Sequence, residues 1–174
     1  MSSAANAAIC SFVANIPDDY YTYDLDKAKA AFSDAGIADG TSFTIMVKSG
    51  DAATTTCAEI LQQSLQSVGM NAEIKQVEAA VFDDSQKDEN SGYDISFNTM
   101  NTAGSKSSLD LINLYCFIIP NLHYTNEEGA ELSAAAVNTT DKDLIHENTE
   151  KLTQLICDEV PYYAIASNAT LLVA

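Results

Sequence analysis

Arginine is missing from this chain: all eight basic residues are lysines, set against 25 acidic ones, and the net charge is −17. Without guanidinium groups there is no bidentate fork for phosphate or carboxylate. No basic patch is present to release counterions either, which argues against nucleic acid as a partner and disfavours docking on anionic lipid. An acidic surface keeps a protein soluble and carries no information about its fold. Long apolar runs are missing too. The longest, Leu111 to Pro120 with Asn113 inside it, is core-sized and far short of the ~20 residues that span a bilayer. Met1-Ser2-Ser3 offers neither the basic start nor the apolar middle of a signal peptide. If the protein is exported, the segment that directs it is expected outside this chain.

Close cysteine pairs are also lacking. Cys10, Cys57, Cys116 and Cys157 are widely spaced, so zinc knuckles and thioredoxin-like chemistry drop out. The even count permits disulfides in an exported protein. Cys57 and Cys157, however, sit among apolar neighbours on expected helices, where buried thiols are common. Histidine is scarce, with two residues in the whole chain. His146-Glu147-Asn148-Thr149-Glu150 stops short of the zinc-protease pattern, because Glu150 stands where the second histidine belongs. His123 lies in a loop. No phosphate-cradling glycine loop and no nucleophile elbow occurs, and the pairs Asp18-Asp19 and Asp83-Asp84 lack calcium-loop spacing. A convergent set of nucleophile, base and charge stabiliser is not in evidence, so the chain is read as no enzyme, with no cofactor and no metal site.

What is present is a chain of 174 residues, 47% apolar, enough for one sizeable domain with a buried core. Residues 1–21 read as an irregular lead-in and residues 22–174 as a single domain. A short helix is expected from Lys27 to Ala35, with Ala28, Ala31, Phe32 and Ala35 on one face and Gly36 as its stop. Ser42 to Lys48 alternates as a strand. Asp51 caps a helix from Ala53 to Val68 whose apolar stripe is Cys57, Ile60, Leu61, Ser64, Leu65 and Val68, ended by Gly69. Ala72 to Val77 is a second strand, Ala79 to Lys87 a weak helix, and Tyr93 to Thr99 a third strand. After a polar loop over 101–108, helices are expected at Leu109–Phe117, Glu127–Val137 and Lys142–Val160. The last would turn Leu144, Ile145, Leu152, Leu155 and Ile156 inward. Pro161 stops it before a fourth strand at Tyr162–Ala166, resumed at Thr170–Val173. Strands alternating with helices define the α/β class. Ala174 ends inside an apolar run, which suggests a domain excised from a longer protein.

Three stretches, in order, carry a resemblance. Tyr23-Asp24-Leu25-Asp26-Lys27-Ala28 through Gly36 resembles a "YDxxKAKxLLxEAG" segment of the family 5 extracellular solute-binding proteins, the peptide- and nickel-binding components of ABC importers. Ala58-Glu59-Ile60-Leu61-Gln62-Gln63 through Ile74 resembles their helix-Gly-strand unit, and Tyr93-Asp94 before an apolar strand resembles the third. Downstream, His123-Tyr124-Thr125-Asn126-Glu127 is similar to the family's "YSNPE", and Cys157-Asp158-Glu159-Val160-Pro161 to its "xxDAPxxPL". The resemblance implies one lobe of a type II periplasmic-binding-protein fold, a mixed sheet flanked by helices. It implies the second lobe of the cleft, inserted between two segments that build the first, for peptides or peptide-like solutes.

It further implies an extracytoplasmic place, as a cell-surface lipoprotein or in the periplasm, and an ABC permease as partner through the intact protein. An isolated lobe could dimerise through its bare face. The alternatives are another solute, such as a nickel complex or an oligosaccharide, or a surface protein-interaction domain without a ligand. Peptide-binding members carry a Gly-Trp-x-x-Asp pattern after the third strand. Aligned without gaps from Tyr93-Asp94, Met100 stands for the tryptophan and Ala103 for the aspartate, so the ammonium anchor is missing unless Asp110 supplies it. The resemblance therefore places the ligand against Asn98, Met100, Asn101, Thr102, Ala103, Ser105 and Asp110, a largely neutral hydrogen-bonding rim joined by Ser107 and Lys106.

Overall fold

The computed structural model describes residues 22–99, 109, 112–113, 123–163 and 165. Its helices begin where the sequence offers a capping side chain. Helix α1, Leu25–Asp34, takes Asp24 as its N-cap, whose carboxylate accepts the Lys27 N–H at 3.0 Å. Strand β1 is Ser42–Lys48. Helix α2, Ala52–Ser67, starts at Asp51, whose Oδ1 accepts the N–H groups of Ala53 and Thr54, both at 3.1 Å. Strand β2 is Asn71–Val77, helix α3 is Ala79–Ser85, and strand β3 is Ile95–Ser96. Helices α4, Glu127–Val137, and α5, Lys142–Glu159, are capped by Asn126 and Asp141. No described helix is long and apolar enough to cross a membrane.

Internal contacts divide the chain into two compact units, Tyr23–Asn101 and a second made of Met1–Thr22 with Thr102–Ala174. The first is a βαβαβ unit. Its three strands are all parallel, in the order β2-β1-β3. Register runs from Ser42 opposite Asn71 to Lys48 opposite Val77, and Ile45 lies opposite Ile95. Because side chains alternate along a strand, central β1 feeds both faces, and Ile45, Met46 and Val47 are all buried. Ile45 and Val47 join Ala58, Leu65, Val68 and Met70 in a core completed by Leu25, Phe32, Phe43, Ile74 and Phe97. Lys48 points the other way, its ammonium 4.8 Å from the Phe82 ring of α3. Helices α2 and α3 therefore cover opposite faces of the sheet, as in doubly wound folds.

Helices α1 and α2 stop by the same device. After α2, the Met70 N–H bonds the Leu65 carbonyl at 3.0 Å and the Gly69 N–H bonds that of Gln66 at 3.1 Å. After α1, the Ile37 and Gly36 N–H groups bond the carbonyls of Phe32 and Ser33 in the same pattern. Gly69 has φ +92°, a conformation that a side chain opposes. The closure turns the chain straight from α2 into β2, where Asn71 anchors it through bonds of 2.8 Å to the carbonyls of Thr41 and Gly40.

In the second unit, Leu109, Ile112, Ala136, Leu152 and Ile156 form a core with Tyr124, Leu132, Ile145 and Tyr162 against it. Leu109 and Ile112 are helical, as expected for that stretch. Cys157 is buried; Cys57, in the first unit, is half-buried with a free thiol. Cys10 and Cys116 lie outside the described residues.

Several expectations change. The α2 stripe is centred on Thr54, Ala58, Leu61, Leu65 and Val68, and Ile60 is 60% exposed. Heptad-like spacing selects Ala58, two residues away from Ile60 and so on the far side of the helix. On α1, Ala31 and Ala35 are exposed, while Leu25 joins Ala28 and Phe32. On α5, Leu144 is exposed, whereas the polar Asn148 and Thr153 are buried. The third strand is shorter than Tyr93–Thr99. Tyr162, Tyr163 and Ile165 carry no strand, and Thr170–Val173 lies outside the described residues.

Candidate functional site

Parallel strands place all their carboxyl ends at one edge of the sheet, where ligands of open α/β folds gather. Here that edge is built from Lys48 at the end of β1, Val77 at the end of β2, and Asn98 and Thr99 just beyond β3. The Lys48 ammonium lies 3.0 Å from Asp83 Oδ1 as well as over the Phe82 ring. Phe82 is fully buried, so the ring that the ammonium overlies is held in the core. Asp83 is more than half exposed, so the ion pair itself contributes about 0–1 kcal/mol. Its worth here is to hold a cation and an anion side by side at the edge.

Beside them, Gln86 is buried, with 4% of its surface exposed. Its Nε2 donates to Ser96 Oγ at 3.3 Å, and its Oε1 accepts from Asn98 Nδ2 at 3.3 Å. Asn98 Oδ1 in turn accepts the Thr99 N–H at 2.9 Å. At the opposite end of β3, Asp94 adds a rung to the sheet: its N–H donates to the Thr44 carbonyl at 2.9 Å, and its Oδ2 accepts the Thr44 N–H at 2.7 Å. That is the physical content of the Tyr93-Asp94 motif. Burial pushes the Tyr93 phenol above its ordinary pKa.

Of the ligand residues expected from sequence, Asn98 stands at this edge. Met100, Asn101, Thr102, Ala103, Ser105 and Asp110 lie outside the described residues, as do Lys106 and Ser107. Lys48, Asp83 and Gln86 were not anticipated. Lys48 carried a signal, since it is the one charged residue of strand β1 and stands at its carboxyl end. Gln86 carried none, because its burial depends on how α3 crosses β1 and β3.

The second unit ties two of the sequence motifs together. Tyr124 donates its hydroxyl to Glu159 Oε2 at 2.6 Å, and Asn126 Nδ2 donates to Glu159 Oε1 at 2.8 Å. Asn126 also caps α4 by accepting the Gly129 N–H at 2.8 Å. The segments His123–Glu127 and Cys157–Pro161 are thus joined through one carboxylate, flanked by the left-handed residues His123 (φ +47°) and Val160 (φ +49°). His146 and Glu147 face separate partners: His146 Nε2 is 3.3 Å from Glu150, and Glu147 accepts the Lys151 ammonium at 2.7 Å. That hydrogen bond and charge hold the Glu147 carboxyl below its usual pKa. Both side chains are exposed. Among the described residues no group of three or more His, Cys, Asp or Glu gathers as metal ligands.

The profile of the bacterial extracellular solute-binding proteins, family 5 Middle, matches residues 3–116. No curated protein matches the chain. Among solved structures, a putative peptide binding protein AppA from Clostridium difficile is 22% identical with a TM-score of 0.73, over 94% of this chain and 35% of that one. NikA from Staphylococcus aureus in complex with Ni(L-His)2 is 17% identical with a TM-score of 0.71, over 82% of this chain and 31% of that one. The periplasmic oligopeptide-binding protein of Thermotoga maritima bound to mannohexaose is 19% identical with a TM-score of 0.72, over 86% and 32%. The chain spans about a third of the length of these structures.

Proposed function

The chain belongs to the bacterial extracellular solute-binding proteins of family 5, and from that premise we propose that it supplies one lobe of the cleft in which an ABC importer's binding component captures a peptide or peptide-like solute. In this reading residues 22–174 act as the lobe. The intact protein lies outside the cytoplasm, as a cell-surface lipoprotein or in the periplasm, and delivers its solute to a membrane permease. The lobe binds and performs no chemistry of its own.

The observation that carries the reading is the carboxyl edge of the parallel sheet. There Lys48 at the end of β1, Asn98 just beyond β3, and Asp83 and Gln86 from α3 and its C-cap stand as hydrogen-bonding groups, the few well-placed polar groups that fix a ligand's orientation. The ligand contacts proposed are Asn98 together with Met100, Asn101, Thr102, Ala103, Ser105 and Asp110. With Ala103 at the position where peptide-binding members carry an aspartate, a free ammonium would be buried without a countercharge at a cost of several kcal/mol. The solute is therefore a neutral or weakly charged one. Titration calorimetry of the complete two-lobed protein against pools of di- to pentapeptides tests this. Saturable heat is expected, with N-acetylated peptides binding as well as free ones. Silence toward every peptide, with tight binding of a nickel complex or an oligosaccharide, overturns the peptide assignment.

A further inference from the structure

Among the described residues, Gln86 is the one buried polar side chain at this edge whose amide is used from both ends, and the direction of its bonds can be reasoned out. Amide nitrogen and oxygen are told apart by their partners rather than by shape, so the chain of contacts needs an unambiguous starting point. The Thr99 backbone N–H supplies one, because it can only donate. It faces Asn98 at 2.9 Å, so the atom there must be Oδ1. Asn98 then turns Nδ2 toward Gln86, which must answer with Oε1 at 3.3 Å. That leaves Gln86 Nε2 for Ser96 Oγ at 3.3 Å, where the hydroxyl accepts. Turning either amide over would set donor against donor, at Thr99 or between the two side chains. All these groups belong to the unit Tyr23–Asn101.

We infer that Gln86 is a positioning residue of the binding edge: it locks the polarity of the Asn98 amide, so that the second N–H of Asn98 is presented in one orientation as a donor to a carbonyl or hydroxyl oxygen of the solute. The inference rests on the proposed solute-binding role of the edge. Asn98 is exposed and keeps one N–H and one lone pair beyond its internal bonds. Gln86, at 4% exposure, is shut away from bulk solute and acts through Asn98. The same contacts fix Asn98 and Thr99, the second and third residues beyond β3.

Two measurements separate this inference from the function on which it rests. The first needs no ligand: hydrogen exchange of the Thr99 amide in this chain. Gln86→Met keeps the volume but removes both partners, and is expected to speed exchange by between about twofold and tenfold. Gln86→Glu still accepts from Asn98 and accepts a hydrogen bond donated by the Ser96 hydroxyl, and is expected to restore protection. Unchanged exchange in Gln86→Met, with the far-ultraviolet spectrum intact, overturns the locking. The second uses the complete protein and a tetrapeptide pool. Gln86→Met should weaken binding several-fold in the native background and leave it unchanged in an Asn98→Ala background, a coupling that general loosening would not produce. Equal loss in both backgrounds overturns the presentation of Asn98. If the native protein binds no peptide, the peptide assignment falls while the exchange result still decides the positioning.

Discussion

At the scale of single residues, side chains of similar chemistry have very different weight. Leu65 and Ile60 lie on the same helix, one 7% exposed in the core and the other 60% exposed. Removing buried methylenes costs transfer free energy and leaves a cavity, so Leu65→Ala is expected to lower stability by about 2–5 kcal/mol. Ile60→Ser removes an apolar group that water already reaches, and is expected to stay within about 0.5 kcal/mol of the native protein. Urea unfolding of both variants checks the contrast, and a large loss at Ile60 would mean that its face is covered. The sequence showed that this segment was an amphipathic helix but misplaced the centre of its stripe. Hydrophobicity alone favours Ile60 over Ala58. Only the arc geometry of positions 54, 58, 61, 65 and 68 puts the small residue innermost. Gln86 was missed for the related reason that a polar residue gives no periodic signal of burial.

At the scale of elements, the boundaries were the legible part wherever a side chain or glycine enforces them. Asp24, Asp51, Asn126 and Asp141 accept helix N–H groups, and their helices begin within two residues of the expected starts. Gly36 and Gly69 end theirs as expected. The third strand was overestimated, because an apolar run does not reveal how many of its residues find a partner. Pairing with β1 spans only Ile95 and Ser96, with the side chain of Asp94 and the N–H of Phe97 extending it at either end. Gly69 offers the sharpest test of a boundary. A Cβ there would meet the Asp39 carboxyl at 3.5 Å, an ordinary contact, so space is not the obstacle. The backbone at φ +92° is. Gly69→Ala is therefore expected to cost about 1–2 kcal/mol, read as a drop in the thermal midpoint. A gain in stability would show that the turn can relax without its left-handed residue.

At the scale of the whole molecule, the α/β class and the family were legible because several weak motifs recur in one order. The structure explains three of them physically: Tyr93-Asp94 as a sheet rung, and the His123–Glu127 and Cys157–Pro161 segments as the two sides of the Glu159 knot. The content of the proposed binding edge was less legible, since it depends on side chains brought together from separate elements, as Lys48 and Asp83 are. The register of the sheet has a consequence in time. Gly40 and Asn71, 31 residues apart, close the β1–β2 pairing, and β1–β3 closes over the 50 residues between Thr44 and Asp94. Loop entropy and the two-residue length of β3 both favour β1, α2 and β2 assembling first, with β3 arriving on a prepared surface. Mutations in the β1–β2 pair should slow refolding, whereas Ile95→Val should mainly hasten unfolding; the reverse pattern in stopped-flow traces would refute this order. Strand β3, which leads into Asn98, is then the last to be laid down and the first to lift away, so the proposed binding edge is made at the point where the molecule opens most cheaply.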